Sequence, residues 1–227
     1  MNKTWILFKD ELNGFAKSSV MIGMWIGMPL LGLLLYFILP DTSAMGPGRQ
    51  ATPMSTLMGL FLSSIAATLG SIMTAIEIVN EKNKRVYDMF VIRPIKRGSL
   101  MTAKFFAVFI CVSVALFISL GLGLLIDLFS GVPISPLMLE GMANSFLSSV
   151  GVIAVATAGG VLIGVASSSV LMAVMLVWFG SQNLIFIPMI PSLIGLPEYT
   201  WIAMIITTIL TSVLLFLASM VFRKMEF

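Results

Sequence analysis

Residues 77–104 read EIVNEKNKRVYDMFVIRPIKRGSLMTAK and form a charged segment between long apolar runs. The segment holds seven of the chain's thirteen lysine and arginine residues: Lys82, Lys84, Arg85, Arg93, Lys96, Arg97 and Lys104. Basic residues are concentrated in the cytoplasmic loops of membrane proteins, and they set the orientation of the neighbouring spans. The segment therefore predicts a cytoplasmic loop between two membrane spans, with a surface suited to a cytoplasmic partner.

The composition of the chain indicates an all-α integral membrane protein. Of its 227 residues, 59% are hydrophobic and 10% are charged, and the mean hydropathy is +1.07. A soluble domain has about 25% charged residues and could not bury this much apolar surface. Nucleic-acid binding is not expected, because every basic region flanks a predicted span. The single cysteine, Cys111, and the absence of histidine exclude an intrachain disulfide and a histidine-bound metal or haem.

Six apolar runs have the ~20 residues that a helix needs to cross a bilayer. We expect one transmembrane domain over residues 1–227, with spans at 20–39, 54–78, 102–129, 137–165, 170–187 and 201–222. Before them, Trp5, Phe8, Leu12 and Phe15 recur at helical spacing, which predicts an interfacial amphipathic helix over residues 1–18. Residues 79–101 form the predicted cytoplasmic loop, whose first part is expected to be a coupling helix.

The distribution of basic residues predicts that both termini are cytoplasmic. With the N-terminus inside, twelve of the thirteen basic residues lie on the inner side and Arg49 alone lies outside. We therefore expect a multi-pass protein of the cell membrane, in contact with its lipid.

Small residues mark candidate helix contacts in the first two spans. They are Gly23 and Gly27, spaced as GxxxG, and Gly59, Ser63, Ala67 and Gly70 along one face of the second span. Small residues let membrane helices approach closely. Two interpretations stay open for them: tight packing within one subunit, or a subunit interface or the wall of a translocation path.

Methionines also line one face of the first span, at Met21, Met24 and Met28. Thioethers can bind Cu(I), but methionine is also a common filler of apolar helices. The sequence does not decide whether this stripe has a role with metal.

The chain lacks the residues that would supply energy or catalysis. No acidic residue falls at the middle of a predicted span, which argues against a proton-coupled transporter or an ion pump. There is no phosphate-binding GxxxxGK[ST] motif and no serine nucleophile elbow. We therefore expect no enzyme activity, no metal and no cofactor in this chain, so that energy for transport would come from a partner.

The charged segment resembles the cytoplasmic loop of the type-2 ABC transporter permease family. Glu77 and Glu81, the basic Arg85, the run Arg93-Pro94-Ile95-Lys96-Arg97 and Lys104 follow the family pattern, roughly E-x-E-x-G-T-x-E-x-L-x-x-T-P-I-x-R and then a lysine. The chain departs from it where Gly-Thr is expected, near Lys84-Arg85, and where only Asp88 could stand for the third acid. The order of the predicted elements extends the resemblance to nearly the whole chain.

This resemblance implies a permease subunit of an ATP-driven exporter. It would pair with a second permease, identical or different, and dock a cytoplasmic ATPase that binds ATP and Mg. The implied coupling residues are Glu77, Glu81, Arg85, Asp88, Arg93, Pro94 and Arg97. Helical spacing places four of these coupling residues on one face, namely Glu77, Glu81, Arg85 and Asp88. Glu81 and Arg85 are spaced so that they can pair. The alternatives are a membrane enzyme or assembly factor that acts on lipid, and a small oligomeric channel. The transported substrate is not readable from the sequence.

Overall fold

The computed structural model of the protein describes residues 3–38, 54–84, 97–129, 136–181, 183 and 199–224. Throughout these ranges the regular elements are helices, and no strand occurs among them. They are α1 (Lys3–Ala16), α2 (Ser19–Ile38), α3 (Met54–Asn83), α4 (Arg97–Phe129), α5 (Pro136–Ala166), α6 (Val170–Leu176) and α7 (Tyr199–Lys224). A π-helical turn, Val177–Ser181, continues α6.

Four helices are long and apolar enough to cross a membrane. Their candidate spans are Phe61–Asn83, Gly98–Phe129, Leu139–Ala166 and Thr200–Lys224. The count for the described residues rises to five if α1 and α2, which meet at 61°, form one broken span. Within the described residues the predicted all-helical fold is confirmed, and its long apolar helices are consistent with a membrane protein. The number of candidate spans does not reach the predicted six. The fifth predicted span, 170–187, extends beyond the short apolar helix Val170–Gly180 into residues that are not described.

The segment between α3 and α4 is shorter than the sequence predicted. Helix α3 continues to Asn83 and α4 already begins at Arg97. The residues at both ends of the predicted loop over 79–101 are therefore helical, and the loop itself is shorter. Glu77, predicted at the inner end of the span, and Glu81, predicted in the loop, both lie in the last two turns of the spanning helix. Backbone groups within a bilayer must be satisfied internally, and continuing the helix does this for the polar ends of α3 and α4.

The N-terminal helix α1 packs against the bundle along one side, from Leu7 to Phe15. Phe15 is buried and Leu12 packs against the same core, whereas Trp5, placed on the same predicted face, is 59% exposed. Helix α1 ends at Ala16, and Ser18 starts α2 by accepting a hydrogen bond from the backbone N–H of Met21 at 3.2 Å. This is the usual action of an N-terminal serine cap, and it fixes the bend between the two helices.

Among the described helices, α3 and α5 approach each other very closely. A Cβ atom added to Gly160 would come within 2.8 Å of the Cα atom of Ser71, and one added to Gly164 within 2.9 Å of the Cα atom of Ala75. The two backbones can approach this closely only because both α5 positions are glycine. This GxxxG pair therefore serves packing within one chain.

The small-residue face of α3 is also used inside the chain. Ser63 and Ala67 are buried, and the Cβ position of Gly59 lies 3.0 Å from the Cβ atom of Ser145 on α5. That of Gly70 lies 3.1 Å from Val112 on α4. Of the two interpretations left open by the sequence, tight packing within one subunit accounts for this face, so it is not an exposed interface.

The glycines of α2 have different surroundings. No described heavy atom beyond the local helix lies within 4 Å of a Cβ atom added to Gly23 or Gly27. Met21, Met24 and Met28 occupy another face of α2 and are buried in an apolar cluster that includes Phe15 and Cys111. The methionine stripe is therefore part of the core, and the glycine pair lies on a face of α2 that no described residue covers.

The glycine contact between α3 and α5 yields a stability prediction. We expect Gly160→Ala to lower the stability by about 1–3 kcal/mol, because the new methyl group would force apart two packed backbones. The matched control is Gly121→Ala in α4, where no described neighbour lies within 4 Å of the added Cβ atom. Thermal unfolding of both variants in detergent measures the difference, and equal melting temperatures would refute the close contact.

Candidate functional site

A buried lysine stands at the end of the bundle where α1, α3 and α4 meet. Lys104 lies seven residues after Arg97, about 10 Å along α4 at 1.5 Å per residue. Its side chain is only 1% exposed, and it is the sole charged residue between Gly98 and Ile126. An ammonium group at such a position requires partners, because burying an unpaired charge costs several kcal/mol.

Three carboxylates from two helices surround this ammonium. The Nζ atom of Lys104 lies 2.9 Å from Oε1 and 3.0 Å from Oε2 of Glu11 on α1. It also lies 3.3 Å from Oε1 of Glu77 and 2.7 Å from Oε1 of Glu81, one turn apart on α3. We call these four residues the Lys104 cluster. Each of the three ammonium protons has a carboxylate to receive it, so the lysine is fully satisfied.

The Lys104 cluster joins three helices and is unbalanced in charge. It has three acidic side chains for one basic side chain, and burial is the main cause that raises the pKa of Glu11 above its ordinary value. The carboxylates are less buried than the lysine, with Glu11, Glu77 and Glu81 exposed by 16%, 31% and 23%. Access to solvent reduces the repulsion between the acids, while the buried ammonium holds them together.

The structure describes only some of the predicted coupling residues, and it places those differently from the prediction. Glu81 was expected to lie on an exposed docking face and to pair with Arg85, but it turns inward and binds Lys104. Glu77 binds the same ammonium. Arg85, Asp88, Arg93 and Pro94 lie outside the described residues, and Arg97 begins α4. A Glu81→Lys substitution would place a second ammonium beside Lys104, so it is expected to disturb the fold as well as the loop.

A second lysine ties the same end of α3 to the end of α5. The Nζ atom of Lys82 donates to the backbone carbonyl groups of Val165 at 3.2 Å and Ser167 at 3.1 Å. The last carbonyl groups of a helix have no partner within it and carry partial negative charge, which favours a cation there. Lys82 thus caps α5 and fixes the turn before α6, where the sequence offered no charged residue of its own.

A groove opens beside the Lys104 cluster, between α3 on one side and α1 and α2 on the other. Its volume is about 1190 Å³. Apolar residues of α3, including Leu69, Ile72 and Met73, form one wall, while the carboxylates of the cluster lie at one end. The site thus combines an apolar channel with a negatively charged terminus.

The three glutamates are also the one carboxylate group, among the described residues, with the geometry to hold a metal ion. One ligand oxygen from each can be chosen so that all lie within 4.8 Å of one another. The space between these oxygens is taken by the Lys104 ammonium, which already supplies the positive charge. The arrangement therefore fits an ion cluster between helices better than a metal site.

Sequence reasoning assigned no role to Glu11 or Lys82. It named Lys104 or Arg85 as the partner of Glu77, and the structure places Glu77 and Lys104 in contact at 3.3 Å. The signal for Lys104 was present, because a lone charge seven residues into an apolar helix needs a partner. The sequence could not predict that Glu11 is a partner of Lys104, since this contact depends on how α1 folds back over α4.

Comparison with known proteins leaves the family of the chain open. No model of a protein family matches the sequence, and no curated protein matches it.

Removal of the central ammonium gives a direct test of the cluster. We expect Lys104→Met to lower the stability by about 3–5 kcal/mol, because it leaves three neighbouring carboxylates without their cation. Lys17→Met is the control, since Lys17 is exposed between α1 and α2. Thermal unfolding in detergent compares the variants. A partial recovery on adding Glu77→Gln to Lys104→Met is expected, and equal stability of the two single variants would contradict the central role of Lys104.

Proposed function

We propose that the chain is the membrane permease subunit of an ATP-driven ABC transporter of the type-2 class, acting as an exporter with a separate ATPase subunit. The resemblance of residues 77–104 to the loop of that family supports the proposal, as does the order of apolar segments along the chain. Several apolar helices long enough to cross a membrane provide the scaffold that a permease requires.

The observation that carries the proposal is the ion contact at the base of the loop. Helix α3 ends at Asn83 and α4 begins at Arg97, so these helices flank the loop on both sides. Glu81, three residues before Lys84, contacts Lys104, seven residues after Arg97, at 2.7 Å. A force applied to the loop by a docked ATPase would therefore reach α3 and α4 together, and α1 through Glu11.

The proposed topology has six spans in the cell membrane with both termini in the cytoplasm. In this topology α2, α3, α4, α5, the segment that begins with α6, and α7 each cross once, and α1 lies at the inner surface. The excess of basic residues on one side supports this orientation.

A second permease subunit completes the proposed transporter, since a small helical bundle would not enclose a path alone. A symmetric pair uses the same face of both subunits when they are identical. The glycine pair of α2, Gly23 and Gly27, is the candidate for that face, because no described neighbour covers it. The sequence does not distinguish a homodimer from a heterodimer.

The proposed topology predicts opposite labelling of two introduced cysteines. In a Cys111→Ala background, we expect Asn83→Cys to react with an impermeant thiol reagent from the cytoplasmic side and Ser43→Cys from the outer side. Asn83 is exposed at the end of α3, and Ser43 falls in the predicted first outer loop. Labelling of right-side-out and inside-out vesicles makes the comparison, and reaction of both cysteines from one side would refute the topology.

ATPase docking predicts a specific loss on reversing the charge of the loop. We expect Arg93→Glu to weaken the bound ATPase at least about tenfold, because a misplaced charge across an interface costs several kcal/mol. Arg223→Glu, at the exposed end of α7, is the control and should leave binding intact.

The measurement is ATP hydrolysis by the complex that is purified with the permease as bait. Mass spectrometry identifies the subunits of this complex. A partner that is an ABC ATPase, with hydrolysis lost in Arg93→Glu alone, supports the proposal. Ion conductance by the purified chain without ATP would favour the channel alternative instead, and lipid turnover without a partner would favour the enzyme.

A further inference from the structure

The turn between α5 and α6 is held in place by a side chain from another helix. Lys82 of α3 donates hydrogen bonds to the carbonyl oxygens of Val165 at 3.2 Å and Ser167 at 3.1 Å. These carbonyl groups flank Ala166, the last residue of α5, and the side chain of Ser169 caps the start of α6. The residues that join α5 to α6 are therefore attached to the end of α3.

The hydrogen bonds of Lys82 lie beyond the apolar contacts between the same helices. Ala75 and Val79 of α3 form a buried cluster with Ala173 of α6 and Val177 of the π-helical turn. Lys82 follows Val79 by three residues, which is about 4.5 Å along the helix at 1.5 Å per residue. A separate movement of the last turn of α3 by about 1 Å would stretch both hydrogen bonds beyond bonding distance. Lys82 therefore couples the position of the turn to that of the end of α3.

Helix α3 has room to move on the side that faces the groove. Ile72, Met73 and Ile76 line this groove, whose volume is about 1190 Å³, opposite α1 and α2. Helix α3 packs much less closely against α2 than against α5, where glycines allow the two backbones to meet. A pull on the loop after Asn83 can therefore shift the end of α3 towards the groove at a low cost in packing. The hydrogen bonds of Lys82 oppose the separation of this end from the turn before α6.

We propose that Lys82 is a positioning residue of the transporter, which passes a movement of the loop to the turn before α6. When the docked ATPase displaces the end of α3, Lys82 draws residues 165–169 and the start of α6 with it. The Lys104 cluster carries the same displacement to α1 and α4, so the two lysines distribute it to two sets of helices. This inference rests on the proposed function, because it needs an ATPase that acts on the loop.

Distances within the ATPase complex test this role. The complex is purified with the permease as bait, in a Cys111→Ala background, and distances are measured by pulsed electron paramagnetic resonance. One spin label is at Arg223→Cys, at the end of α7, and the other is at Asn83→Cys or Ser168→Cys. All three positions are exposed, and Asn83 reports the end of α3 whereas Ser168 reports the turn. On adding ATP and vanadate, which arrest the hydrolysis cycle, we expect both distances to shift by about 1–2 Å, the usual size of a helix shift.

Substitution of Lys82 separates the two responses. In Lys82→Met the Asn83 distance should still shift on adding nucleotide, whereas the Ser168 distance should not. Lys82→Arg should retain both responses, because a guanidinium also donates to carbonyl groups. Lys17→Met, which removes an exposed lysine between α1 and α2, is the control and should retain both. Without nucleotide, both distances in Lys82→Met should match those of the unmodified complex, because the apolar and glycine contacts of α3 remain.

The possible outcomes separate the role of Lys82 from the proposed function. A Ser168 distance that shifts equally in Lys82→Met would overturn the role of Lys82 and leave the proposed function intact. The same holds if the Asn83 distance alone shifts in the unmodified complex. Absence of an ABC ATPase from the purified complex, or no response of either distance to nucleotide, would contradict the proposed function itself and this inference with it.

Discussion

The ion contact of Lys104 with three glutamates is the constraint on which the rest of this end of the protein depends. A lysine with a 1% exposed side chain must be compensated, and here the compensation comes from α1 and α3 rather than from its own helix. Helix α1 therefore folds back over the bundle with its Glu11 beside the ammonium. The same contact brings the end of α3 to the start of α4, which determines where the loop between them emerges.

Helix α3 is the element through which these contacts are shared. Its small residues pack against α4 and α5, its Glu77 and Glu81 bind Lys104, and its Lys82 caps the end of α5. The glycines at 160 and 164 fix the distance between α3 and α5, so the polar contacts at the end of α3 are held at a defined position. Any movement of the end of α3 would have to be accompanied by α1, α4 or the turn before α6.

Local sequence patterns predicted the helices well, because long apolar runs leave a membrane chain few other structures. The predicted fourth span, 137–165, differs from α5 by one residue at each end. Polar residues at helix ends were harder to interpret. The sequence suggested that Glu81 belongs to an exposed coupling helix, but the need to compensate Lys104 turns it towards the interior.

Contacts between distant segments could not be predicted from spacing alone. The GxxxG pairs at Gly23 and at Gly160 look alike in sequence, yet the second packs against α3 and no described neighbour covers the first. The participation of Glu11 depends on the 61° bend between α1 and α2, which is a property of the folded chain. The groove likewise arises from the separation of α1 and α2 from α3, for which the sequence carries no direct signal.

The distance between α1 and α3 tests the central claim most directly. Spin labels at Asn13→Cys and Asn83→Cys, both exposed positions, in a Cys111→Ala background report this distance by pulsed electron paramagnetic resonance. We predict one narrow distance distribution that broadens and shifts when Lys104→Met is added, and that Glu140→Gln leaves unchanged. A distribution equally narrow, at the same distance, with and without Lys104 would show that the ion cluster does not hold these helices together.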